Sequence, residues 1–171
     1  MADRGLFRGY ALQAIDGKGR VAIPAPLRAV IERNNGDRVL LISKHDADPC
    51  LTGYDRGWSD LLHAKLDRDE TRALDAGKDV DRHNIARRAF GSVDEVPFDA
   101  SGRFILPPFF RSKGKLEDLA FFIGTGDTFE IWNPTVLIET PGVDEDLKDM
   151  VRFCLEQRGR HDRAAYSRPP R

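Results

Sequence analysis

The pattern of hydrophobic and polar positions occurs twice along the chain. IDGKGRVAIPAPLR at 15–28 and FDASGRFILPPFFR at 98–111 each contain an apolar residue, a short polar loop, an alternating stretch and a proline. Alternation with a period of two predicts a half-buried β-strand on each side of the loop, and therefore a β-hairpin. Asp99 lies 83 positions after Asp16, and the other motif positions keep that offset. We interpret the two copies as an internal duplication.

Each copy continues with the same order of predicted elements. After the proline comes a helix, which in the second copy is predicted to end early at Gly114. Apolar runs of strand length follow at 39–43 and at 119–124, and both are expected to be buried in a sheet. Asp55 and Asn133 then follow further short strands, and their side chains are suited to cap the helices that begin there.

Three further segments have periodicity or composition that predicts their structure. A helix is predicted over about 79–90, and apolar residues at helical spacing over 147–155 predict a strongly amphipathic one. The residues after Gly159 are polar, arginine-rich and aperiodic, which predicts a disordered tail. The helix after Asp55 carries one apolar stripe, formed by Trp58, Leu61, Leu62 and Leu66.

These elements predict an α/β protein in which two tandem hairpin repeats share one barrel-like core, with helices at the periphery. We place the first repeat at about 7–65, a linking helix at about 66–90, the second repeat at about 91–157 and a disordered basic tail at 158–171. One repeat alone would bury too little apolar surface to be stable. Both copies are therefore expected to pack together as a single domain over 5–157.

Composition and charge narrow the function only slightly. The chain has 171 residues, 32% of them charged, and a net charge of −1, so its overall field gives no reason to expect a polyanionic partner. The charges are unevenly distributed. Residues 1–44 carry eight basic and four acidic side chains, whereas residues 45–75 carry eight acidic and four basic ones. This polarity is compatible with an anionic partner on one side and equally with ordinary solvated faces.

The sequence also bears on location and on the two cysteines. No apolar run approaches the roughly 20 residues that span a bilayer, and the first ten residues lack the apolar core of a signal peptide. We therefore expect a cytosolic protein with no membrane partner. Cys50 and Cys154 lie far apart and are predicted to be free thiols that serve packing.

Metal binding and catalysis find little support in the sequence. His45, Asp46, Asp48 and Cys50 lie in one loop, but their spacing matches no closed zinc pattern, so no metal site is predicted. No nucleophile with a base, phosphate-binding glycine loop or dinucleotide-binding glycine pattern is present. We expect neither an enzyme nor a cofactor nor a small-molecule substrate. A hydrolase using the two loop aspartates is the weaker alternative, because an adjacent arginine keeps each carboxylate ionised.

The two polar loops keep three residue types and change the others. A glycine before the second strand suits a positive φ, and the aspartate can accept loop amides while it orients the arginine. Folding alone explains the arginines less well, because an exposed ion pair contributes little to stability. Lys18 has no counterpart in the second loop, where Ser101 stands. The recurring residues are Asp16, Gly19 and Arg20 in the first loop and Asp99, Gly102 and Arg103 in the second.

The stretches LFRGYALQAIDGKGRVAIP at 6–24 and VPFDASGRFILP at 96–107 together resemble the MraZ family of bacterial transcriptional regulators. That family belongs to the AbrB/SpoVT swapped-hairpin class and carries one Asp-x-x-x-Arg motif in each of its two repeats. The resemblance covers about residues 5–157. It implies a cytoplasmic, nucleoid-associated protein that forms a ring-like homo-oligomer and binds double-stranded DNA in the promoter of the division and cell-wall gene cluster.

The matched motifs assign roles to particular residues under this resemblance. An arginine at a loop tip can donate two parallel hydrogen bonds to guanine O6 and N7, whereas a basic side chain on phosphate positions the protein without reading sequence. Two alternatives remain: an Asp–Arg clasp that serves only the fold, and an AbrB-like antitoxin or other interaction module. The predicted DNA-contacting residues are Arg20, Lys18, Arg8 and Arg103, and the predicted loop-orienting residues are Asp16, Gly19, Asp99 and Gly102.

Overall fold

The fold is that of a computed structural model, which describes residues 3–167. Eight strands and six α-helices lie in this part of the chain. The strands are β1 (Tyr10–Ala14), β2 (Arg20–Ala22), β3 (Val39–Lys44), β4 (Leu51–Tyr54), β5 (Val93–Pro97), β6 (Arg103–Ile105), β7 (Leu119–Gly124) and β8 (Phe129–Trp132). The helices are α1 (Ala25–Asn35), α2 (Arg56–Asp75), α3 (Arg82–Ala86), α4 (Pro108–Lys113), α5 (Pro134–Glu139) and α6 (Glu145–Tyr166).

Six strands form one antiparallel sheet in the order β1-β7-β8-β4-β3-β5. The remaining strands, β2 and β6, pair with each other as a separate two-stranded ribbon. The protein is thus α/β, as predicted. The barrel-like core, however, is built from an open six-stranded sheet, and the ribbon packs its apolar residues against that sheet.

The two strands that flank each loop do not pair with each other. β1 pairs with β7, with Leu12 opposite Phe121, and β2 pairs with β6, with Val21 opposite Phe104. The predicted hairpin ladders are therefore wrong, because each flanking strand takes a partner from the other repeat. Period-two alternation determines which face of a strand is buried but not which strand lies beside it. The exchange joins the two repeats into one folded unit.

The main core lies between the sheet, the ribbon, α1 and α4. The apolar positions of both alternating stretches are buried there, as predicted; Val21 is 2% exposed and Phe104 is 3% exposed. A second, smaller cluster covers the other face of the sheet beneath α5 and α6. Both cysteines are free, as predicted. The fully packed members of the second cluster are Cys50, Phe121, Trp132, Leu137 and Val151.

Several helix boundaries lie at the capping residues that the sequence predicts. The helix of the second copy, α4, ends at Gly114 as predicted. Asp55 caps α2 by accepting a hydrogen bond from the backbone N–H of Trp58 at 3.2 Å. Asn133 caps α5 in the same way by accepting from the N–H of Thr135 at 2.9 Å. Both caps satisfy amides that have no partner inside their own helix.

The predicted linking helix over about 66–90 is instead two helical segments, and the second of them confirms the helix predicted over about 79–90. The helix α2 begins at Arg56 and is followed by Gly77 at a φ of 73°, a left-handed conformation that ends a helix. The carboxylate of Asp81 then caps α3, which continues into one π-helical turn over Arg87–Gly91. No residue of α2, α3 or this turn is fully buried, so the apolar stripe predicted on α2 is only partly covered.

The prediction of a disordered basic tail over 158–171 is also wrong in part. The helix α6 continues without a break through Tyr166, so 158–166 is helical; residues 168–171 lie outside the described part of the chain. Arginine and alanine, which recur over 158–166, favour a helix even where no apolar periodicity marks one. None of the helices in residues 3–167 combines the length and the apolar character that a membrane span requires.

Candidate nucleic-acid interface

The carboxylate of Asp16 organises the first loop, which spans residues 16–20. Its Oδ1 accepts the backbone N–H groups of Lys18 and Arg20, both at 2.9 Å, and its Oδ2 accepts Nε of Arg20 at 2.7 Å. The N–H of Gly19 donates to the backbone oxygen of Asp16 at 3.0 Å. Gly19 has a φ of 79°, which side-chain-bearing residues rarely adopt. The loop is therefore fixed by an aspartate at its start and a glycine before its end.

These contacts set the ionisation of the loop. The backbone N–H of Arg20, followed by its guanidinium, lowers the pKa of Asp16 to about 2. The pKa of Asp99 is also lowered, first by the backbone N–H of Arg103 and also by that arginine's side chain. Both carboxylates are thus ionised at neutral pH, which leaves them without the proton that a general acid needs.

The second loop, residues 99–103, repeats this geometry. Oδ1 of Asp99 accepts the N–H groups of Ser101 at 2.9 Å and Arg103 at 3.0 Å, and Oδ2 accepts Nε of Arg103 at 2.9 Å. Gly102 has a φ of 82°. Since the two loops share every hydrogen bond of this set, they present their arginines in the same way.

Each loop arginine uses only part of its hydrogen-bonding capacity. The side chains of Arg20 and Arg103 are 49% and 62% exposed, and each donates to its aspartate through Nε. Within residues 3–167, neither guanidinium donates a hydrogen bond through its two terminal nitrogens. The carboxylate therefore fixes the orientation of the guanidinium and leaves both terminal nitrogens available for a bidentate contact.

The ribbon brings the two loop arginines onto one surface. Arg20 is opposite Ile105, and Ala22 is opposite Arg103, so all four side chains lie on the same face of the ribbon. The other face carries the buried residues of the core. Arg20 and Arg103 are diagonal neighbours, which places their Cα atoms about 7–8 Å apart. Their arrangement forms one exposed surface with a guanidinium at each end of a short apolar strip.

The two other predicted basic contacts lie in different places. Lys18 is at the exposed tip of the first loop, and its side chain makes no hydrogen bond or ion pair with any described residue. Arg8 precedes β1, whereas the first loop follows it. The strand separates Arg8 from Asp16 by on the order of 25 Å at about 3.3 Å per residue. The structure thus groups Lys18 with the loop arginines but not Arg8.

Two further arginines, which were not among the predicted contact residues, lie against the loops. A Cβ atom added at Gly102 would be 2.7 Å from Nη1 of Arg28, and one added at Gly19 would be 3.2 Å from Nη1 of Arg111. In each case a helix of one repeat touches the loop of the other. Arg111 follows Arg28 by 83 positions, the offset of the loops themselves, and the two arginines are the last residues of the repeated stretches 15–28 and 98–111.

A cluster near β8 contains three side chains that could ligate a metal. His45, Cys50 and Glu130 place their ligand atoms within 4.8 Å of one another. Nδ1 of His45 accepts the N–H groups of Ala47 and Asp48 at 3.1 and 2.9 Å, so the imidazole proton lies on Nε2, which faces Glu130 at 3.0 Å. Burial also raises the pKa of the Cys50 thiol. His45 and Glu130 thus form a polar contact between the two repeats.

The fold and the loops define a class of protein. Its members contain two repeats that exchange strands, and each repeat carries one Asp-x-x-x-Arg loop. A family model described as "MraZ protein, putative antitoxin-like" matches residues 89–136. The protein named "Transcriptional regulator MraZ" from Ruegeria pomeroyi is 38% identical over 136 residues, covering 75% of this chain and 77% of that protein. The protein of the same name from Pseudomonas fluorescens is 30% identical over 158 residues, covering 85% of this chain and 99% of that protein. The chain belongs to the MraZ family.

Proposed function

We propose that the protein is a DNA-binding transcription regulator that reads base pairs with Arg20 and Arg103. One observation carries the proposal: each guanidinium is fixed by an aspartate through Nε alone and exposes its two remaining nitrogens. Reading guanine in the major groove requires such a planar pair of donors, held in a constant orientation. The names of the relatives support the same role.

The spacing of the arginines suits double-stranded DNA. The two Cα atoms lie about 7–8 Å apart on one face of the ribbon, which is less than the roughly 12 Å width of the major groove, and the proposal places both arginines in one groove. Lys18, at the tip of the first loop, is assigned to a phosphate contact. Arg8 lies on the far side of β1 and is not part of this proposed surface.

One subunit offers few base contacts, and the proposal therefore includes self-association. A ring-like homo-oligomer would present the same loops at regular intervals to short direct repeats in DNA, and each later contact would be effectively intramolecular. Following the family resemblance, we assign the operator to the promoter of the division and cell-wall gene cluster. The protein would then act in the cytoplasm on the nucleoid, without catalysis and without a cofactor.

Selection of bound sequences from a random DNA pool tests this function. The wild type is expected to enrich short guanine-containing repeats, and Arg20→Ala is expected to lose that enrichment. Arg72→Ala serves as the matched control, because it removes an exposed arginine of α2 outside the loops. Absence of enrichment by the wild type would contradict DNA recognition. Equal enrichment by Arg20→Ala would contradict the role of the loop.

A further inference from the structure

The two loops differ in the positive charge that their own residues supply. The first contains Lys18, and the corresponding position in the second is Ser101. The backbone and carboxylate contacts of the two loops are otherwise the same. If both loops engage DNA, the second needs its phosphate contact from elsewhere in the molecule.

Arg28 lies where such a contact would be needed. Besides the 2.7 Å approach of its Nη1, its Cδ would be 3.1 Å from a Cβ atom at Gly102, so the side chain runs across the glycine backbone of the second loop. The N–H of Ile23, just before α1, donates to the backbone oxygen of Gly102 at 2.9 Å and fixes the helix against this loop. Gly102 thus leaves room for an arginine of the other repeat.

The guanidinium of Arg28 is available, whereas that of its counterpart is engaged. Arg111 donates from Nε to the backbone oxygen of Leu116 at 3.2 Å and from Nη2 to that of Glu117 at 2.7 Å. Arg28 makes no side-chain hydrogen bond or ion pair with the residues at 3–167. Of these two helix arginines, Arg28 is therefore the one whose guanidinium has no partner among residues 3–167, and it lies beside the loop that lacks a lysine.

Neighbouring residues increase this difference. The first loop begins beside Asp118, whose backbone oxygen accepts the N–H of Ile15 at 2.8 Å. At the equivalent place in the second loop, the backbone oxygen of Arg38 accepts the N–H of Phe98 at 3.1 Å. The first repeat thus places Arg38, which is paired with Glu32, beside the second loop, whereas Glu117 and Asp118 lie beside the engaged Arg111 near the first.

We propose that the second loop binds a DNA phosphate through Arg28, which supplies from the first repeat the positive charge that Lys18 gives to the first loop. An arginine with free donors forms charge-assisted hydrogen bonds to phosphate oxygens. The assignment rests on the proposed DNA-binding function. It makes the second loop a composite site in which Arg103 reads a base and Arg28 holds the backbone.

The test measures binding to a labelled mixed-sequence duplex of about 40 base pairs between about 50 and 200 mM salt, where counterion release dominates the affinity. Arg28→Ala is expected to weaken binding several-fold and to reduce the slope of log K against log salt by about one per engaged loop. Arg33→Ala, which removes an exposed charge farther along α1, is the matched control and is expected to keep the slope.

A rescue variant separates charge from structure. Ser101→Lys restores a lysine at the tip of the second loop, so in the Arg28→Ala background it is expected to recover most of the lost slope. An unchanged slope in Arg28→Ala, or failure of Ser101→Lys to restore a slope that was lost, would overturn the assignment. Thermal unfolding of each variant identifies loss of fold.

Double variants locate the effect in one loop. Contacts to the same phosphate and base are coupled, so Arg28→Ala is expected to cost less affinity in the Arg103→Ala background than in the wild type. In the Arg20→Ala background its cost is expected to be undiminished. The opposite pattern would overturn the assignment. Failure of the folded wild type to bind DNA would instead overturn the proposed function itself, together with this inference.

Discussion

Arg4 and Asp55 form a bidentate ion pair that connects the segment before β1 to the start of α2. Nη1 lies 2.6 Å from Oδ2, and Nη2 lies 2.9 Å from Oδ1. The Asp55 side chain is 0% exposed and also caps α2 through the N–H of Trp58. A buried carboxylate in this position depends on its partner, because no water is available to replace the arginine.

We expect Arg4→Ala to lower the free energy of unfolding by about 3 kcal/mol, since it leaves a buried charge unpaired. Urea denaturation with an unchanged m-value would measure this loss. Arg38→Ala breaks the exposed ion pair with Glu32 and should cost less than about 1 kcal/mol. Adding Asp55→Asn to Arg4→Ala should recover part of the loss by removing the charge. Equal effects of the two arginine variants would contradict this account.

The ionisation of Asp16 gives a second prediction. Its pKa is lowered to about 2, so ionised Asp16 contributes stability at pH values above its ordinary value of 3.8, and this contribution is lost as the pH falls through about 2. A carboxyl-carbon NMR titration would measure the pKa. In Arg20→Ala we expect it to rise but to stay below 3.8, because the main cause is a backbone N–H that alanine retains. A return to the ordinary value would show that the side chain alone maintains the loop.

The sequence predicted the parts of the site that depend on one residue at a time. Gly19 and Gly102 were identifiable because a positive φ before a strand admits few other residue types. The pairing of strands was not identifiable, since Val21 and Phe104 would alternate in the same way whether β2 paired with β1 or with β6. The residue pattern therefore predicted the loops and the buried faces, whereas only the resemblance to a swapped-hairpin class implied the exchange that brings the loops together.

The remaining differences have similar causes. The contact between Arg28 and Gly102 joins residues far apart in the chain, and nothing near either residue indicates it. The helical part of the predicted tail carries no apolar stripe, so only the individual propensities of its residues favour the helix, and periodicity misses it. The caps at Asp55 and Asn133 were predictable because each acts within its own helical turn.

The cysteines are expected to differ in reactivity. Cys50 is 0% exposed and burial raises its pKa, while Cys154 is half-buried and its pKa is raised by the same cause. Because the thiolate is the reactive species, a disulfide reagent should modify Cys154 slowly and Cys50 only after local or global opening. The folded Cys154→Ser variant should therefore react very little with the disulfide reagent. Rapid labelling of Cys50 without denaturant would contradict its placement in the core.

Loss of the first loop arginine should separate recognition from assembly. We expect Arg20→Ala to weaken specific DNA binding by about 1–3 kcal/mol while size-exclusion profiles stay unchanged, because the side chain lies on an exposed loop outside the core. Arg103→Ala should have the same effect or a smaller one. If the profiles of these variants collapse at concentrations where DNA affinity is still retained, the Asp–Arg pair serves the fold and not DNA.

The spacing of the operator tests the proposed multivalent binding. Loops repeated around a ring can engage one duplex only if their sites lie on the same side of the DNA, so direct repeats should be spaced by about one helical turn, roughly 10 base pairs. Inserting about five base pairs turns one repeat to the opposite side, whereas inserting about ten restores its direction. We therefore expect the shorter insertion to cost far more affinity, as measured by titration of otherwise identical duplexes. Equal affinity for both insertions, or binding of a single isolated repeat as tight as that of the array, would mean that each subunit acts alone.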